Sequence, residues 1–235
     1  MIASVVDVTS VIAHRGARRV AKENTERAFR LAVEMGADGI ELDVRRTSDD
    51  VLVIHHDPVT AAGRLIHTSL ARELDPDIPT LAAAIDACEG AIVNIEIKNS
   101  PDDPGYDPDM VVVELVTREL DDRGGSPMRW VVSCFDLATL NEFHRLRPEV
   151  PTALLSFGSP EEALRAAVRD EHPIWHPFHQ DLSLELLRAA QDFGLLVNVW
   201  TTDEPADHER LIEWGVDGII TDVPDVAVAV RGGYA

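Results

Sequence analysis

The chain has 235 residues with 42 acidic and 21 basic side chains, so its formal net charge at pH 7 is −21. A field of this sign repels nucleic acid and anionic membrane surfaces, and any bound anion must meet its own arginine, lysine or metal ion. Two cysteines are too few for a disulfide framework, no apolar run approaches the roughly 20 residues of a membrane span, and the N-terminus lacks a signal-peptide pattern. We therefore expect one cytoplasmic domain over residues 1–235, with no nucleic-acid partner and no integral membrane segment.

The predicted strands are short apolar stretches that alternate with amphipathic ones. They begin at residues 11, 39, 91, 130, 152, 174, 195 and 218. Helix-starting residues lie between them, namely Asn24 or Thr25, Thr80, Asp107 with Pro108 at the first helical position, Asp136, Ser159 with Pro160, Ser183, Pro205 and Pro224. The helix that begins at Asp107 is expected to run to Asp121. This rhythm of strand and helix predicts an α/β fold.

Eight strands in this rhythm predict a (β/α)8 TIM barrel, and 235 residues is close to the roughly 250 that are typical of one. After the second strand, residues 47–50 have the composition of a turn, and Val51 to His55 is expected to return as a hairpin arm. An open doubly wound sheet is the alternative, although no Gly-x-Gly-x-x-Gly motif follows the first strand.

Two of these strands lie within copies of the same sequence motif. Gly-x-Asp-Gly-Ile-x-x-Asp-Val occurs at residues 36–44 and again at 215–223. Both copies end a helix with Gly and then open an apolar strand, as repeated units of an α/β fold do. A parallel strand is buried on both faces except at its C-terminal mouth, so carboxylates at that end indicate function.

Three carboxylates are expected at one mouth of the barrel. Glu41 and Asp43 alternate along the second strand and so point to one face, and Glu96 faces the lumen from the third. Acidic side chains inside apolar strands need a cation or a water-filled opening. Oxygen ligands suit Ca²⁺ or Mg²⁺ better than zinc, so we predict one divalent cation held by these residues. An edge strand with one solvated face is the alternative.

Cationic and imidazole groups are expected beside the carboxylates. Arg15 and Lys98 lie at the ends of the first and third strands, where they supply positive charge for a phosphate. His14 and His56 are two imidazoles near that site, and hydrolysis of a phosphodiester requires one base and one acid. Asp57 either orients His56 or caps the turn that follows.

Trp200, at the end of the seventh strand, is expected either to bind substrate or to fill the barrel core. His55 is expected to be structural, because only one of two adjacent residues in an extended arm can face the site. His176 and His179 are expected in a solvated loop after the sixth strand, with a place in the pocket as the alternative.

Taken together, these motifs resemble the glycerophosphodiester phosphodiesterase family over almost the whole chain. The matching pieces are Ile12-Ala13-His14-Arg15-Gly16, Glu23-Asn24-Thr25, residues 36–44, His56-Asp57, Glu96-Ile97-Lys98, Ser133 to Phe135, Trp200-Thr201 and Thr221-Asp222. The whole set is specific, whereas any one piece is not.

The resemblance implies a (β/α)8 barrel that uses a divalent cation to hydrolyse a glycerophosphodiester to sn-glycerol 3-phosphate and an alcohol. Carried over by motif, it implies Glu41, Asp43 and Glu96 as metal ligands, His14 and His56 as the acid/base pair, and Arg15 and Lys98 as phosphate-binding residues. This chain departs from the family at residues 82–84, where three alanines stand in a helix that often carries a Glu. We expect that departure to affect packing more than chemistry.

Three other functions fit parts of the sequence. A lysophospholipase D-like phosphodiesterase for longer lipids needs an apolar ramp or a membrane-binding face, and no strongly basic amphipathic helix is apparent. An amidohydrolase-type barrel with Asp222 as base needs His-x-His on the first strand, where this chain has His14-Arg15-Gly16. A metal- or ligand-binding barrel without turnover needs only the same residues. The expected partner is a small-molecule glycerophosphodiester, and the expected assembly is a monomer or homodimer.

Overall fold

The structure, a computed structural model, describes residues 8–234. Nine strands occur along this part of the chain. They are β1 Ser10–His14, β2 Gly39–Arg46, β3 Leu52–Ile54, β4 Ile92–Ile97, β5 Trp130–Cys134, β6 Thr152–Ser156, β7 Ile174–Pro177, β8 Leu196–Val199 and β9 Gly218–Thr221. Residues 1–7 and 235, which the predicted domain includes, lie outside the described residues.

A helix follows each barrel strand. The helices are α1 Glu26–Glu34, α2 Leu81–Ala87, α3 Val111–Arg123, α4 Leu137–Leu146, α5 Pro160–Arg169, α6 Leu184–Asp192, α7 Pro205–Trp214 and α8 Pro224–Gly232. Four of them begin at a predicted capping residue whose side-chain oxygen accepts a hydrogen bond from the backbone N–H three residues later, namely Thr25, Thr80, Asp136 and Ser183.

The third helix departs from its prediction. α3 begins at Val111 and not beside Pro108, so the predicted cap at Asp107 is wrong. The Asp107 carboxylate instead accepts hydrogen bonds from the Val112 N–H at 2.9 Å and from the Arg46 guanidinium at 2.8 Å. These bonds hold the loop that precedes α3 against the end of β2.

Eight parallel strands close into a barrel. β1 pairs with both β2 and β9, which joins the two ends of the order β1-β9-β8-β7-β6-β5-β4-β2. Full closure leaves no free edge among these eight strands. The predicted (β/α)8 TIM barrel is therefore confirmed, and the open sheet is excluded.

β3 is the predicted hairpin arm. It pairs antiparallel with the far end of β2, where Arg45 lies opposite Val53, and so stands outside the closed ring. The His55 N–H donates to the Asp43 carbonyl at 2.9 Å. This bond fixes the arm beside the barrel mouth, and His56 with it.

Strand register places the mouth residues side by side. His14 lies opposite Glu41 in the β1/β2 pair, and Asp43 lies opposite Glu96 in the β2/β4 pair. Because side chains alternate along a strand, these four share the lumen face, while a neighbour such as Leu42 packs into the hydrophobic core. The backbone pairing thus assembles the polar cluster.

His176 does not lie in a solvated loop, so that prediction is wrong. It belongs to β7, which continues to Pro177, and its side chain is fully buried. Its Nε2 lies 3.0 Å from the Asn198 Nδ2 of β8, which gives the imidazole a polar partner inside the barrel. Burial lowers the pKa of His176 to about 3, so this imidazole is neutral at pH 7.

A second buried histidine lies at the opposite end of the barrel. His172 Nδ1 lies 2.8 Å from the Thr152 hydroxyl at the start of β6, and its Nε2 lies 3.0 Å from the Asn141 carbonyl oxygen. Burial and then the neighbouring His144 lower the pKa of His172 to about 4.

None of the helices in the described part of the chain combines the length and the apolar character that crossing a membrane requires.

We expect the free energy of unfolding to fall as the pH drops from about 6.5 towards 4. In this window the unfolded chain protonates His172 and His176 at the ordinary histidine pKa, whereas the folded chain does not. Each group then contributes a slope of up to about 1.4 kcal/mol per pH unit. Urea unfolding at several pH values should show a shallower slope for His172→Gln. The control His67→Gln changes a histidine outside this pair and should keep the wild-type slope. Equal slopes for the wild type and both variants would contradict the role given to His172.

Candidate active site

A cavity of about 190 Å³ opens at the carboxyl ends of the strands, where (β/α)8 barrels carry their active sites. Its lining combines charged, imidazole, amide and apolar side chains from the barrel and the arm, namely His14, His56, Arg15, Lys98, Glu41, Glu96, Asn94, Phe135, Leu155, Trp200 and Ile220. Seven of the eight predicted site residues line this cavity. The eighth, Asp43, is fully buried directly behind it.

A tight turn ends β1. Arg15 and Gly16 both have left-handed backbone, with φ of 58° and 80°, a conformation that costs a residue other than glycine roughly 1–2 kcal/mol. Gly16 is also required sterically, because a Cβ there would lie 2.7 Å from the backbone carbonyl carbon of Ala28. The Arg15 N–H is shared between the carbonyl and the carboxylate of Glu41, each at 3.0 Å. This bond offsets part of the strain and fixes the turn over β2.

Three carboxylates form one buried cluster. Glu41, Asp43 and Glu96 each offer an oxygen, and these oxygens all lie within 4.8 Å of one another. Glu41 Oε1 and Asp43 Oδ1 accept no hydrogen bond from any described residue. Carboxylate oxygens are the hard donors that Ca²⁺ and Mg²⁺ take as ligands in proteins. The cluster therefore fits a divalent metal ion.

The carboxylates of β2 have opposite pKa shifts. Burial raises the pKa of Glu41 well above its ordinary value, and the charges of Asp43 and Glu96 raise it further. Burial acts in the same direction on Asp43, but the charges of Lys98 and Arg15 outweigh it and lower the pKa of Asp43 to about 2. The ionised form is thus disfavoured at Glu41 and favoured at Asp43.

Two cationic side chains lie between the carboxylates. Lys98 Nζ is 2.6 Å from Glu96 Oε1 and 3.5 Å from Asp43 Oδ1, and Arg15 Nε is 3.1 Å from Asp43 Oδ2. Burial opposes the charge on Lys98, yet its acidic neighbours outweigh burial and raise its pKa. The three carboxylates exceed these two cations by only one charge. A bound divalent ion would therefore turn the net local charge positive. A positive site attracts an anion.

His14 is oriented by the last strand of the barrel. Its Nδ1 lies 2.7 Å from Asp222 Oδ1, just after β9, and its Nε2 lies 4.0 Å from Glu41 Oε2. A carboxylate on one ring nitrogen fixes the tautomer and leaves the other nitrogen for the cavity. Asp222 is thus the hydrogen-bonded partner of His14. An amidohydrolase-type site would instead need Asp222 to be free to act as the base.

His56 is held at two points. Its Nδ1 lies 2.8 Å from Asp57 Oδ1. Of the two predicted roles of Asp57, this contact agrees with the one in which it orients His56. Its backbone carbonyl accepts two hydrogen bonds from the Arg45 guanidinium, at 2.8 and 2.6 Å, and Arg45 also pairs with Asp103 at 2.8 Å. Burial and the nearby charge of Lys98 lower the pKa of His56, against the opposing effects of neighbouring carboxylates.

Two amides complete the polar part of the site. Asn24 Nδ2 donates to Asp43 Oδ2 at 2.8 Å, which leaves Asp43 Oδ1 as the oxygen that faces Lys98. Asn94 lies opposite Glu41 in strand register and lines the cavity. Both of its amide atoms are buried without a partner among the described residues.

Trp200 forms part of the cavity wall and is not barrel core. Its indole N–H donates to the His176 carbonyl at 2.8 Å, which fixes the ring at the mouth. The indole and the Phe135 ring meet edge to face with centroids 5.4 Å apart.

Sequence analysis missed two roles for which a signal existed. Arg45 continues the alternation of Glu41 and Asp43 along β2, so its side chain was predictable on the same face. Asp222 occupies the same position in the second Gly-x-Asp-Gly-Ile-x-x-Asp-Val segment that Asp43 occupies in the first. At this shared position each copy supplies one site carboxylate, and the first copy supplies Glu41 as well.

A (β/α)8 barrel with carboxylates, cations and imidazoles at the carboxyl ends of its strands places this protein in the phosphodiesterase class of hydrolases. A model described as the glycerophosphoryl diester phosphodiesterase family matches residues 14–226, and the chain belongs to this family. The identification made from sequence motifs is therefore confirmed.

Several known proteins are similar to this chain. A glycerophosphodiester phosphodiesterase of Caldanaerobacter subterraneus subsp. tengcongensis is 33% identical over an alignment of 243 positions, gaps included, that covers 94% of this chain and 96% of the relative. The structure of a Silicibacter pomeroyi protein, described as a putative glycerophosphoryl diester phosphodiesterase, superposes with a TM-score of 0.85 at 30% identity, covering 97% and 94% of the two chains. An Oleispira antarctica phosphodiesterase in complex with the product sn-glycerol-3-phosphate has a TM-score of 0.88 at 21% identity, covering 96% and 97%, and supports the fold.

We expect Ca²⁺ or Mg²⁺ to raise the melting temperature of the wild-type protein, because an ion held by the carboxylate cluster would stabilise the folded state. At a concentration 100 times the Kd, the stabilisation is about 2.7 kcal/mol. Glu41→Gln should lose most of this gain, yet without metal it should be at least as stable as the wild type, because it removes a charge that burial disfavours. Thermal unfolding with added ion or with chelator measures both effects.

The matched control for this experiment is Glu34→Gln, an exposed position on α1. This variant should respond to metal as the wild type does. A Glu41→Gln protein that gains as much stability from the ion as the wild type would contradict the assignment of the cluster.

Proposed function

We propose that this protein hydrolyses glycerophosphodiesters to sn-glycerol 3-phosphate and an alcohol in a metal-dependent reaction. The observation that carries the proposal is the convergence of the carboxylate cluster, two cations and two carboxylate-anchored imidazoles on one cavity. In the overall reaction the phosphorus–oxygen bond to the alcohol breaks, water supplies the new oxygen on phosphorus, and one proton passes to the alcohol. Family membership and the full-length likeness to a named phosphodiesterase support this substrate class.

Glu41, Asp43 and Glu96 are the residues that would hold the divalent cation, Ca²⁺ or Mg²⁺. When bound there, the ion supplies Lewis-acid stabilisation of negative charge on a phosphoryl oxygen. The buried oxygens Glu41 Oε1 and Asp43 Oδ1, which accept no hydrogen bond from the described residues, support this assignment.

Arg15 and Lys98 bind the phosphate in this proposal. Both are half-buried cations at the cavity wall, and a guanidinium matches the geometry of two phosphate oxygens. As charge develops on phosphorus during cleavage, donors already fixed in place stabilise it without reorganisation. Their ion pairs with Asp43 and Glu96 hold them in that place.

His14 and His56 transfer the protons. Each has its Nδ1 fixed by an aspartate, Asp222 or Asp57, so that Nε2 is the nitrogen available to substrate. One accepts the proton of the attacking oxygen and the other donates a proton to the leaving oxygen. Trp200 then forms the wall against which the organic part of the substrate packs.

The remaining properties belong to the same proposal. We infer a cytoplasmic enzyme with one domain over residues 1–235, acting as a monomer or homodimer on a small-molecule diester. The strongly acidic charge supports a partner that is neither nucleic acid nor an anionic membrane, and the free, buried Cys88 and Cys134 suit reducing surroundings.

We expect His14→Asn and His56→Asn each to lower kcat by about 10²- to 10⁴-fold, the range of general acid–base catalysis. Asn keeps a polar partner for the anchoring aspartate and removes only the nitrogen that faces the cavity. The measurement is release of sn-glycerol 3-phosphate from a panel of glycerophosphodiesters, with added Ca²⁺ or Mg²⁺ and with chelator.

His55→Asn is the matched control, because His55 is adjacent, its Nδ1 lies 2.8 Å from the Asp57 carbonyl oxygen, and it does not line the cavity. It should retain activity. Undiminished turnover in both site variants would overturn the proton-transfer roles, and wild-type protein that releases no product from any member of the panel would overturn the substrate class.

Arg45→Lys should lower kcat about tenfold with a small change in KM, because a lysine cannot hold the His56 carbonyl and Asp103 with one planar fork. Arg46→Lys is the control, since Arg46 pairs with Asp50 and Asp107 and not with His56. Steady-state kinetics of both variants, with their melting temperatures, separate positioning from a general loss of folding. Equal kcat values for the two variants would count against the positioning role.

A further inference from the structure

The barrel mouth has an aromatic half. Each of the four consecutive strands β5 to β8 is followed at once by an aromatic residue, namely Phe135, Phe157, Phe178 and Trp200. The carboxylates, cations and imidazoles to which we assign the reaction come instead from the ends of β1, β2 and β4 and from the arm. The two sets therefore occupy different sides of one opening.

The four rings form a continuous line. Phe135 contacts Trp200 with centroids 5.4 Å apart, Trp200 contacts Phe178 at 5.4 Å, and Phe178 contacts Phe157 at 5.2 Å. Phe135 and Trp200 line the cavity, whereas Phe178 and Phe157 continue outward from it. The line thus begins where the diester would bind and ends at the surface.

The two end rings of the line are not explained by the hydrophobic core. Phe157, at the outer end, is 70% exposed, and Phe135, at the inner end, is 42% exposed, so both leave apolar surface in water. A contiguous exposed apolar patch that adjoins a ligand cavity indicates a binding surface. An extended substrate that passes over these rings would remove that surface from water.

The arrangement favours an apolar group over a quaternary ammonium. A cation site surrounds one point with several ring faces, but these rings lie in a row and meet each other through edges or tilted faces. The inner end of the row already faces a positive charge, because Lys98 Nζ lies 6.0 Å from the Phe135 centroid. A second cation there would be repelled.

We propose that the line Phe135, Trp200, Phe178 and Phe157 binds an apolar chain carried by the diester, so that the preferred substrates are alkyl- or acyl-bearing phosphodiesters. This inference rests on the proposed phosphodiesterase function and names its substrate class. The apolar chain of the substrate has two sources: an acyl group on the glycerol, as in a lysophospholipid, or the alcohol that leaves. In both, the bond broken is the same phosphorus–oxygen bond to the leaving alcohol.

Two substrate series separate the sources. The first consists of monoacyl glycerophosphocholines with acyl chains of increasing length, and the second of glycerol 3-phosphate esters of straight-chain alcohols of increasing length, each presented as monomers. Glycerophosphocholine, which carries no chain, is the reference for both. We expect kcat/KM to rise by about threefold to fourfold for each methylene that the rings cover, in one series, and then to level off. The products, acylglycerol phosphate or glycerol 3-phosphate, identify the series.

Phe157→Ala tests the outer end of the line. We expect it to reduce the ratio of kcat/KM between the longest chain and glycerophosphocholine by about tenfold or more, and Phe178→Ala to reduce it further. Phe193→Ala is the matched control, because Phe193 is 65% exposed and follows α6 at the other end of the barrel. The control should keep the wild-type ratio, and since Phe157 packs little against the core, its variant should keep the wild-type melting temperature.

Three results would overturn the inference. One is a flat response to chain length in both series while glycerophosphocholine is cleaved, which would leave the phosphodiesterase proposal intact. Another is an unchanged ratio in Phe157→Ala and Phe178→Ala. The third is a loss in these variants that follows the choline group and not the chain, which would identify a quaternary ammonium site. Failure to cleave any substrate would instead refute the proposed function itself.

Discussion

The site depends on keeping three carboxylates within a few ångströms of one another in a buried place. Their mutual repulsion and their desolvation both oppose this arrangement, as the raised pKa of Glu41 shows. Arg15 and Lys98 compensate part of it by pairing with Asp43 and Glu96. Hydrogen-bonded strand pairing supplies the rest of the constraint, because closure of the barrel fixes which residues of β1, β2 and β4 are neighbours.

This constraint explains why the site draws on distant parts of the chain. Asp222, after the last strand, orients His14 at the end of the first, and the two meet only because β1 pairs with β9. His56 reaches the same cavity on a hairpin arm that stands outside the ring, held there by a hydrogen bond to the Asp43 carbonyl and by Arg45. A closed barrel therefore acts as the frame, and the reacting groups are attached to its rim.

Much of this was predictable from the sequence. The apolar periodicity predicted the eight barrel strands and the arm, and the alternation of Glu41 with Asp43 predicted that their side chains share a face, because both signals are local. The start of α3 was not predictable in this way, since Asp107 has the local pattern of a cap but is engaged by Arg46 from another strand. His176 likewise required knowledge of Asn198 on β8, a partner that only the fold supplies.

The division of the mouth has a consequence for how such a protein can change. The charged groups to which we assign metal and phosphate binding all lie between residues 14 and 98, and the four rings lie between residues 135 and 200. A single recombination event near Gly124, in the exposed segment between α3 and β5, would exchange the ring-bearing half for that of a relative while leaving the half with the three carboxylates intact. Several ion pairs cross that boundary, including those of His14 and Arg18 with Asp222 and of Arg19 with Asp203. Inherited acidic residues at these two positions would let new substrate preferences arise by shuffling gene segments.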